Sequence, residues 1–426
     1  MQTNQGSNVR RREFLKAASG VAMAAAVPRV WAAGSDRLRI ATVGAGDRGT
    51  YDTICCLKCA PGIELVAMAD LFRDRVDEAL AKLRKEVPEQ VKVTESDIVL
   101  GFDAYRKVME RTDVDLVLLL TPPGFRPEMA AAAVECGKHI FMEKPGAVDP
   151  VGVRSLLDTA AKADAKGLSI VVGTQQRYAP QYCELIQRIR DGQIGRVTFI
   201  EALWIGDMEL WHYHDRKPEW SDMEWQIRCW PFFTWLSGDH FVEQLVHNLD
   251  VANWVANGTP VVCQGIGGRQ VRTGPQFGNI YDHFAVRYEY ADGTPMYAMA
   301  TQIRNITTRV CNIIHGTEGR AEVNRGMARI EGARPWKYEG PPSSGDTEMF
   351  RALVESIRER KPINECQRLA EATLTAVMGR MSAYTGRALK WEWVLNVSKL
   401  DLRPPKYEFG PLPVEPVALP GRTPLI

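Results

Sequence analysis

Short apolar runs alternate with helical stretches along the first third of the chain. Leu38 to Val43 is an apolar run of strand length, and the turn Gly44-Ala45-Gly46-Asp47-Arg48-Gly49 follows at once and leads into a helical segment. Glu64 to Ala69 forms a second such run, ending at Asp70. Val114 to Leu120 reads as a parallel strand buried on both faces, ending in Thr121-Pro122-Pro123, and His139 to Met142 reads as another, ending in Glu143-Lys144-Pro145. An alanine-rich helix, Pro127 to Cys136, lies between them, with Gly137 as its stop. This order predicts a doubly wound α/β sheet, in which ligands bind beyond the carboxyl ends of the strands.

The pattern changes further on. Tyr281-Asp282-His283 opens a strand whose successive residues face opposite sides of a sheet, so that His283 reaches either the pocket or a partner subunit. Glu365 to Tyr384 is helical and is expected to pack back against the first domain. From Leu400 to Ile426 seven prolines make an extended arm rather than a core element, one able to wrap a neighbouring subunit.

Ahead of the first strand, Arg11-Arg12-Glu13-Phe14-Leu15-Lys16, the small apolar run Ala17 to Val27 and a cleavage point after Ala32 read as a twin-arginine export signal. The first position of that pattern holds Arg10 where Ser or Thr is usual. Residues 1–33 are therefore expected to lie outside the fold, the twin-arginine translocase to be a partner, and the mature protein to be periplasmic or otherwise exported. The run is too short and too alanine-rich to span a bilayer, which predicts no stable membrane anchor. A length of 426 residues with 45% apolar and 25% charged positions suits two globular domains. A net charge of +1, with no Lys/Arg block outside the signal, argues against a nucleic-acid partner. The nine cysteines are odd in number and scattered, unlike a disulfide framework, and Cys55, Cys56 and Cys59 fall in the first helix without a second ligand pair.

The glycine turn stands in the context that a dinucleotide requires. Gly44 permits the tight turn, Gly46 lets backbone N–H groups approach a pyrophosphate, and Gly49 allows helix and strand to pack closely. The phosphates then sit at the helix N-terminus. Asp70 is placed to accept hydrogen bonds from the adenosine ribose, which favours NAD, while Arg73 and Arg75 stand near enough to meet the 2′-phosphate of NADP.

These pieces, with Thr121-Pro122, the Gly137-Lys138-His139 turn and Glu143-Lys144-Pro145, come in the order and spacing of the Gfo/Idh/MocA family. From about residue 36 to 390 the chain resembles the glucose-fructose oxidoreductase and inositol dehydrogenase relatives of that family. The resemblance implies a Rossmann domain over 34–165, an α/β domain with a large, open, mostly antiparallel sheet over 166–395, and the arm 396–426. It implies cofactor contacts from Gly44, Gly46, Asp47, Arg48, Gly49, Asp70, Thr121, Pro122, Glu143 and Lys144. Lys144 is then expected beside the nicotinamide and the reacting hydroxyl, where its ammonium stabilises an incipient alkoxide, and a cis Lys144–Pro145 bond is often seen in relatives.

The family's second signature is an acid four residues ahead of a histidine, matched here by Glu243 and His247 within Gly238 to Asp250. That spacing puts both on one helix face, with His240 and Asp250 extending the polar stripe, and makes His247 the candidate general acid/base. Many relatives carry Asp where Glu243 stands, and the longer side chain leaves it to orient either substrate or His247. Arg177 and Tyr178, ahead of Pro180, resemble the stretch that opens the family's second domain, which implies substrate contacts from Lys144, Arg177, Tyr178, His240 and His247. A metal held by His240, Glu243 and His247 is the rival reading; the spacing is not a standard zinc signature, so no metal is expected.

Six of the eleven tryptophans fall between Trp204 and Trp235, among Asp207, His212, His214, Asp215 and Arg228. Flat apolar faces beside hydrogen-bonding groups suit a sugar ring, and equally suit a packed interface. The leading expectation is hydride transfer between a tightly bound nicotinamide and a hydroxyl-bearing carbon of a sugar, cyclitol or glycoside. A glycosidase working by transient oxidation is the alternative, although the second-domain motif of the NAD-dependent alpha-N-acetylgalactosaminidases has no clear match. A sugar-binding protein without turnover is a further one. The open sheet of the second domain predicts a homo-oligomer, dimer or tetramer.

Overall fold

All of Leu38–Val43 (β1) is buried except Arg39, which leaves the strand edge to pair with Asp115 at 2.9 Å. The computed structural model describes residues 37–426, so the Arg11-Arg12 segment and the cleavage point after Ala32 lie outside the described residues. Beside β1 run Ile63–Asp70 (β2), Ile98–Leu100 (β3), Leu116–Leu119 (β4), His139–Met142 (β5) and Ile170–Val172 (β6), all parallel, in the order β3-β2-β1-β4-β5-β6. β4 and β6 are buried at every position, as strands covered on both faces must be. The strand order reverses between β1 and β4, so a crevice opens where their following loops part. β6 falls past residue 165, so the parallel sheet runs beyond the division expected there.

Local chemistry fixes the helix that follows β5. Asp149 accepts a hydrogen bond from the Gly152 N–H, Pro150 occupies the first helical position, and Gly167 closes Pro150–Lys166 in the left-handed conformation at φ 63°.

The second sheet has nine strands: Val197–Gly206 (β7), Pro260–Gly268 (β8), His283–Tyr290 (β9), Pro295–Gln302 (β10), Arg309–Gly316 (β11), Gly319–Asn324 (β12), Met327–Gly332 (β13), Trp336–Lys337 (β14) and Leu389–Lys390 (β15). Their order is β14-β13-β12-β11-β7-β10-β9-β8-β15, antiparallel throughout except for β7 against β10. The expected fold class is the observed one. Along β10, Met296, Ala298 and Ala300 are buried while Tyr297 and Met299 are exposed, so one face is packed and the other open. The helices Val246–Ala256 and Cys366–Thr385 cover the packed face, and Cys366–Thr385 also lies against Pro150–Lys166, joining the two sheets as its sequence predicted.

The proline-rich arm packs along its own chain. Leu402 N–H donates to Asp149, Leu412 N–H to Asp222, and Gly421 N–H to the Thr385 carbonyl, while the Ala418 carbonyl accepts from the Tyr281 hydroxyl. On the way Tyr407 and Phe409 meet the rings of Phe102, Phe125 and Phe72, which places the arm beside the crevice of the parallel sheet.

Candidate active site

A cavity of about 540 Å³ starts at the ends of β1 and β2 and reaches β7 of the second sheet, within the ~300–1,000 Å³ range of ligand sites. The glycine turn forms its floor. Gly44 has φ +98°, and a Cβ there would lie 2.8 Å from the Thr121 nitrogen; at Gly49 a Cβ would come 2.1 Å from the Gly44 carbonyl oxygen. At Gly46 a Cβ would meet no atom within 4 Å, so its hydrogen faces free space. The helix Asp47–Cys59 begins there with no side-chain cap, leaving its first N–H groups to an anion. That combination of a cramped first and third glycine with an open second one fits a pyrophosphate.

Asp70 ends β2 in the same cavity, accepting from Ala45 N–H at 2.6 Å and Phe72 N–H at 2.9 Å, which leaves lone pairs for ribose hydroxyls. Burial raises its carboxyl above the usual range. Arg73 is turned outward onto Asp77 and Glu95, whereas Arg75 lines the cavity and is held by His214 at 3.1 Å. Asp47 stands exposed at the helix start; Thr121 and Pro122 follow β4 at the cavity wall.

Arg48 reaches under the turn into a knot of acids: Asp52 at 3.0 Å, Glu143 at 2.9 Å and Asp346 at 2.8 Å. Burial first, then the Glu143 carboxylate, raise Asp52 well above the usual range. Gly173 makes room for Glu143, since a Cβ there would lie 2.6 Å from its carboxyl carbon. Glu143 in turn accepts from the Lys144 N–H at 2.9 Å, and the Lys144–Pro145 bond is cis.

Lys144 crosses to the second domain. Its ammonium donates to the Glu243 carboxylate at 2.6 Å and to the Glu243 carbonyl at 2.7 Å, and both side chains are largely buried. An ammonium has three donors, so one remains for the cavity. The continuous helix expected across Glu243 and His247 is interrupted: His240–Glu243 and Val246–Ala256 are separate helices, broken at Gln244 and Leu245. His247 N–H bonds to the Gln244 carbonyl instead of that of Glu243, which frees the latter for Lys144. Glu243 therefore orients the lysine, neither of the two roles its length suggested.

Asp239 caps the start of the first of these two helices. It sits at φ 74°, strained for a residue with a side chain, and is held by accepting from Tyr281 N–H at 2.8 Å, the Tyr384 hydroxyl at 2.5 Å and His240 N–H at 2.6 Å. His247 lies parallel to Trp204 with ring centroids 5.9 Å apart, and its buried Nδ1 has no partner. Burial first, then the cations Lys144, Arg325 and Arg48, hold its imidazole well below the usual range, so it is neutral at neutral pH.

Three expected substrate residues lie outside this cavity. Arg177 is clamped on Asp250 at 2.8 Å and stacked over Trp254, and the Tyr178 hydroxyl donates to Glu365 at 3.0 Å; these contacts brace the second domain. His240 is buried edge-on against Phe284 beside Asp239. The polar stripe is broken with the helix. His283 pairs with Asp282 at 2.7 Å and is likewise outside the cavity. Among the described residues no group of three His, Cys, Asp or Glu is arranged to hold a metal.

Other lining groups were not read from the sequence. Gln175 is buried, its Oε1 unpartnered, two positions before Arg177 in the stretch that drew attention. Arg325 comes from the β12–β13 turn and Tyr407 from the arm. Of the six clustered tryptophans, Trp204, Trp211 and Trp230 line the cavity, while Trp225 packs on Phe233 and Trp235 on Phe125, so the cluster serves both pocket and core.

Two models of one family match this chain, an oxidoreductase family, NAD-binding Rossmann fold, over residues 38–171 and a GFO/IDH/MocA C-terminal domain over 182–322. The chain belongs to the Gfo/Idh/MocA oxidoreductase family, and its first domain is an NAD-binding Rossmann domain. Curated relatives include a glycosyl hydrolase family 109 protein of Shewanella sp. (strain W3-18-1) and an alpha-N-acetylgalactosaminidase of Shewanella oneidensis, each 26% identical. Each match covers 47% of this chain and 47% of the relative, so the chain spans about half the length of the curated relatives it matches. Similar solved structures are a levoglucosan dehydrogenase in complex with NADH and levoglucosan (TM-score 0.66, 18% identity, 83% of this chain and 99% of that one) and the aldose-aldose oxidoreductase of Caulobacter crescentus complexed with glycerol (TM-score 0.65, 18% identity, 83% and 99%). At that identity they show the shared fold.

Proposed function

We propose that this protein transfers a hydride between a retained NAD and a hydroxyl-bearing carbon of a sugar, cyclitol or glycoside. The observation that carries the reading is the pairing, in one cavity beyond the glycine turn, of a clamped ammonium at Lys144 with a neutral, unpartnered imidazole at His247. When bound, the nicotinamide supplies the carbon that accepts or returns the hydride. The His247 imidazole takes the hydroxyl proton, and the free donor of Lys144 steadies the oxygen as its charge grows. Gln175 offers its amide to a neighbouring hydroxyl, and Trp204 gives the ring an apolar floor. The names of the similar structures, a levoglucosan dehydrogenase and an aldose-aldose oxidoreductase, support the carbohydrate class.

The arm supports retention of the cofactor. Tyr407 closes the cavity at its Phe102–Tyr105 end, the end near Asp70, and the flanking arm is tied to both domains. A cofactor that stays in place suits a protein exported folded by the twin-arginine route to the periplasm, where little NAD is free. The open apolar face of the second sheet, with Tyr297 and Met299 exposed, favours pairing of two copies.

Purified full-length protein, denatured and examined by mass spectrometry for NAD, then offered a sugar panel while nicotinamide absorbance is followed, tests the reading. Absence of any absorbance change with a loaded enzyme refutes it. The 26%-identical relative named an alpha-N-acetylgalactosaminidase favours a second reading, in which oxidation is transient and the aglycone is eliminated. Release of nitrophenol from nitrophenyl α-N-acetylgalactosaminide without net cofactor reduction distinguishes it.

A further inference from the structure

Six arginines line the cavity, and five of them are spoken for. Arg48 has its three acids, Arg75 has His214, Arg106 has Glu128, Arg126 donates to the Pro145 carbonyl, and Arg228 holds Asp74 and Glu224. Arg325 alone has no ion pair and no hydrogen bond to its guanidinium among the described residues. Lys144, the other cation at that end, is neutralised by Glu243.

The Arg325 backbone is fixed. It occupies the tip of the β12–β13 hairpin, where Asn324 pairs with Met327, and its carbonyl accepts from the amide of Gln181 at 3.0 Å. Gln181 is fully buried and also exchanges hydrogen bonds with Ser343, so the tip is moored to the interior. The guanidinium thus reaches a shared cavity with Gln175 and His247 from a rigid mount, and its field is one of the causes that keep His247 neutral.

We infer that the substrate is an anionic sugar, one whose ring carries a carboxylate or sulfate group, and that Arg325 receives that group while Lys144 and His247 face the reacting hydroxyl. A guanidinium offers paired donors in a fixed fork that matches either oxyanion, and in a part-enclosed cavity such a contact is stronger than a neutral hydrogen bond. The inference rests on the hydride-transfer reading for the position of the reacting end.

The test uses the full-length, NADH-loaded protein and calorimetric binding of three hexuronates (gluco, galacto and manno), the corresponding hexose 6-sulfates and the neutral hexoses. At least one acid is expected to bind 10-fold or more tighter than its neutral parent, and the better of uronate and sulfate names the group. In Arg325→Gln that ratio collapses to within about threefold, and Arg325→Lys restores part of it. Neutral parents binding as tightly as the acids in all three series, or an unchanged ratio in Arg325→Gln, overturns the inference. Nicotinamide absorbance in parallel samples loaded with oxidised NAD, which can accept the hydride, separates the two readings. Turnover of neutral sugars with no preference sinks the anion site alone, while preferential binding without any absorbance change sinks hydride transfer alone.

Discussion

Removing the charge of Glu243 tests the centre of the site. In Glu243→Gln the amide oxygen and the backbone carbonyl still accept from Lys144, but the ammonium, now without a counter-ion, stays in a largely buried position. Breaking a buried pair by removing one partner costs ~3–5 kcal/mol; with two acceptors kept, about 2–3 kcal/mol is expected here. Lys144→Met strands the carboxylate in the same way and destabilises by a similar amount. The double variant removes both charges, so its loss falls short of the sum of the two by at least ~1.5 kcal/mol, a coupling typical of residues in direct contact. Urea unfolding of the four proteins, each stripped of cofactor, measures this without reference to catalysis. Sugar-dependent change in nicotinamide absorbance then reports function: Lys144→Met and the double variant are inactive, and Glu243→Gln retains a loosely held ammonium and loses ~10–100-fold in kcat/KM. Additive stabilities, with no coupling beyond about 0.5 kcal/mol, refute the clamp and with it the orientation assigned to Lys144.

Three further outcomes follow from the geometry. Gly46→Val leaves the fold intact because its Cβ meets nothing, yet lowers NAD affinity at least ~10-fold, whereas Gly49→Ala drives a Cβ onto the Gly44 carbonyl and lowers both affinity and thermal stability; calorimetric titration and melting curves tell them apart. His247→Gln lowers kcat by ~10²–10⁴. Because the folded imidazole titrates below its unfolded value of ~6.5, the unfolded chain binds more protons in that window, so wild-type stability falls as pH drops below ~6.5 by up to ~1.4 kcal/mol per unit, and this contribution is absent in His247→Gln urea titrations. Ending the chain after Leu400 removes Tyr407 and Phe409, and the purified protein then loses NAD on gel filtration while the full chain keeps it.

The nucleotide half was legible because it is written in contiguous signals. A buried run, a glycine turn at fixed spacing and an acid at the end of the next strand each impose one local geometry, and Gly44, Gly46, Gly49 and Asp70 stand where those geometries require. The second half was legible in residue type and less so in conformation. Spacing alone put Glu243 and His247 on one helix, but the helix that Asp239 opens, anchored from Tyr281 and Tyr384 far along the chain, runs only from His240 to Glu243 before the chain breaks at Gln244 and Leu245. Arg177 and Tyr178 look like pocket residues in sequence because nothing local reveals Asp250 and Glu365 as their partners. Arg325 and Tyr407 carry no motif at all; only the tertiary fold brings a hairpin tip and an arm to the cavity.

The two reacting groups come from different domains, so their relation depends on what joins the loops that bear them. Arg380 supplies that joint. It is fully buried on the helix Cys366–Thr385, and one terminal nitrogen donates to the Val148 carbonyl at 2.7 Å, four residues beyond Lys144, and to the Gly238 carbonyl at 3.2 Å, next to Asp239. A third tie comes from Thr373 on the same helix, which accepts from Gly146 N–H at 3.1 Å. One long helix therefore grips the lysine loop at two points and the Gly238 turn ahead of Glu243 at a third, through groups shielded from solvent where a lost hydrogen bond is expensive. Preorganisation of this kind is what electrostatic stabilisation of a developing alkoxide requires, because a donor that must first be turned into place yields much of its advantage. It also explains why the clamp on Lys144 uses a main-chain carbonyl as well as a carboxylate: the carbonyl position is set by the same turn that the helix holds.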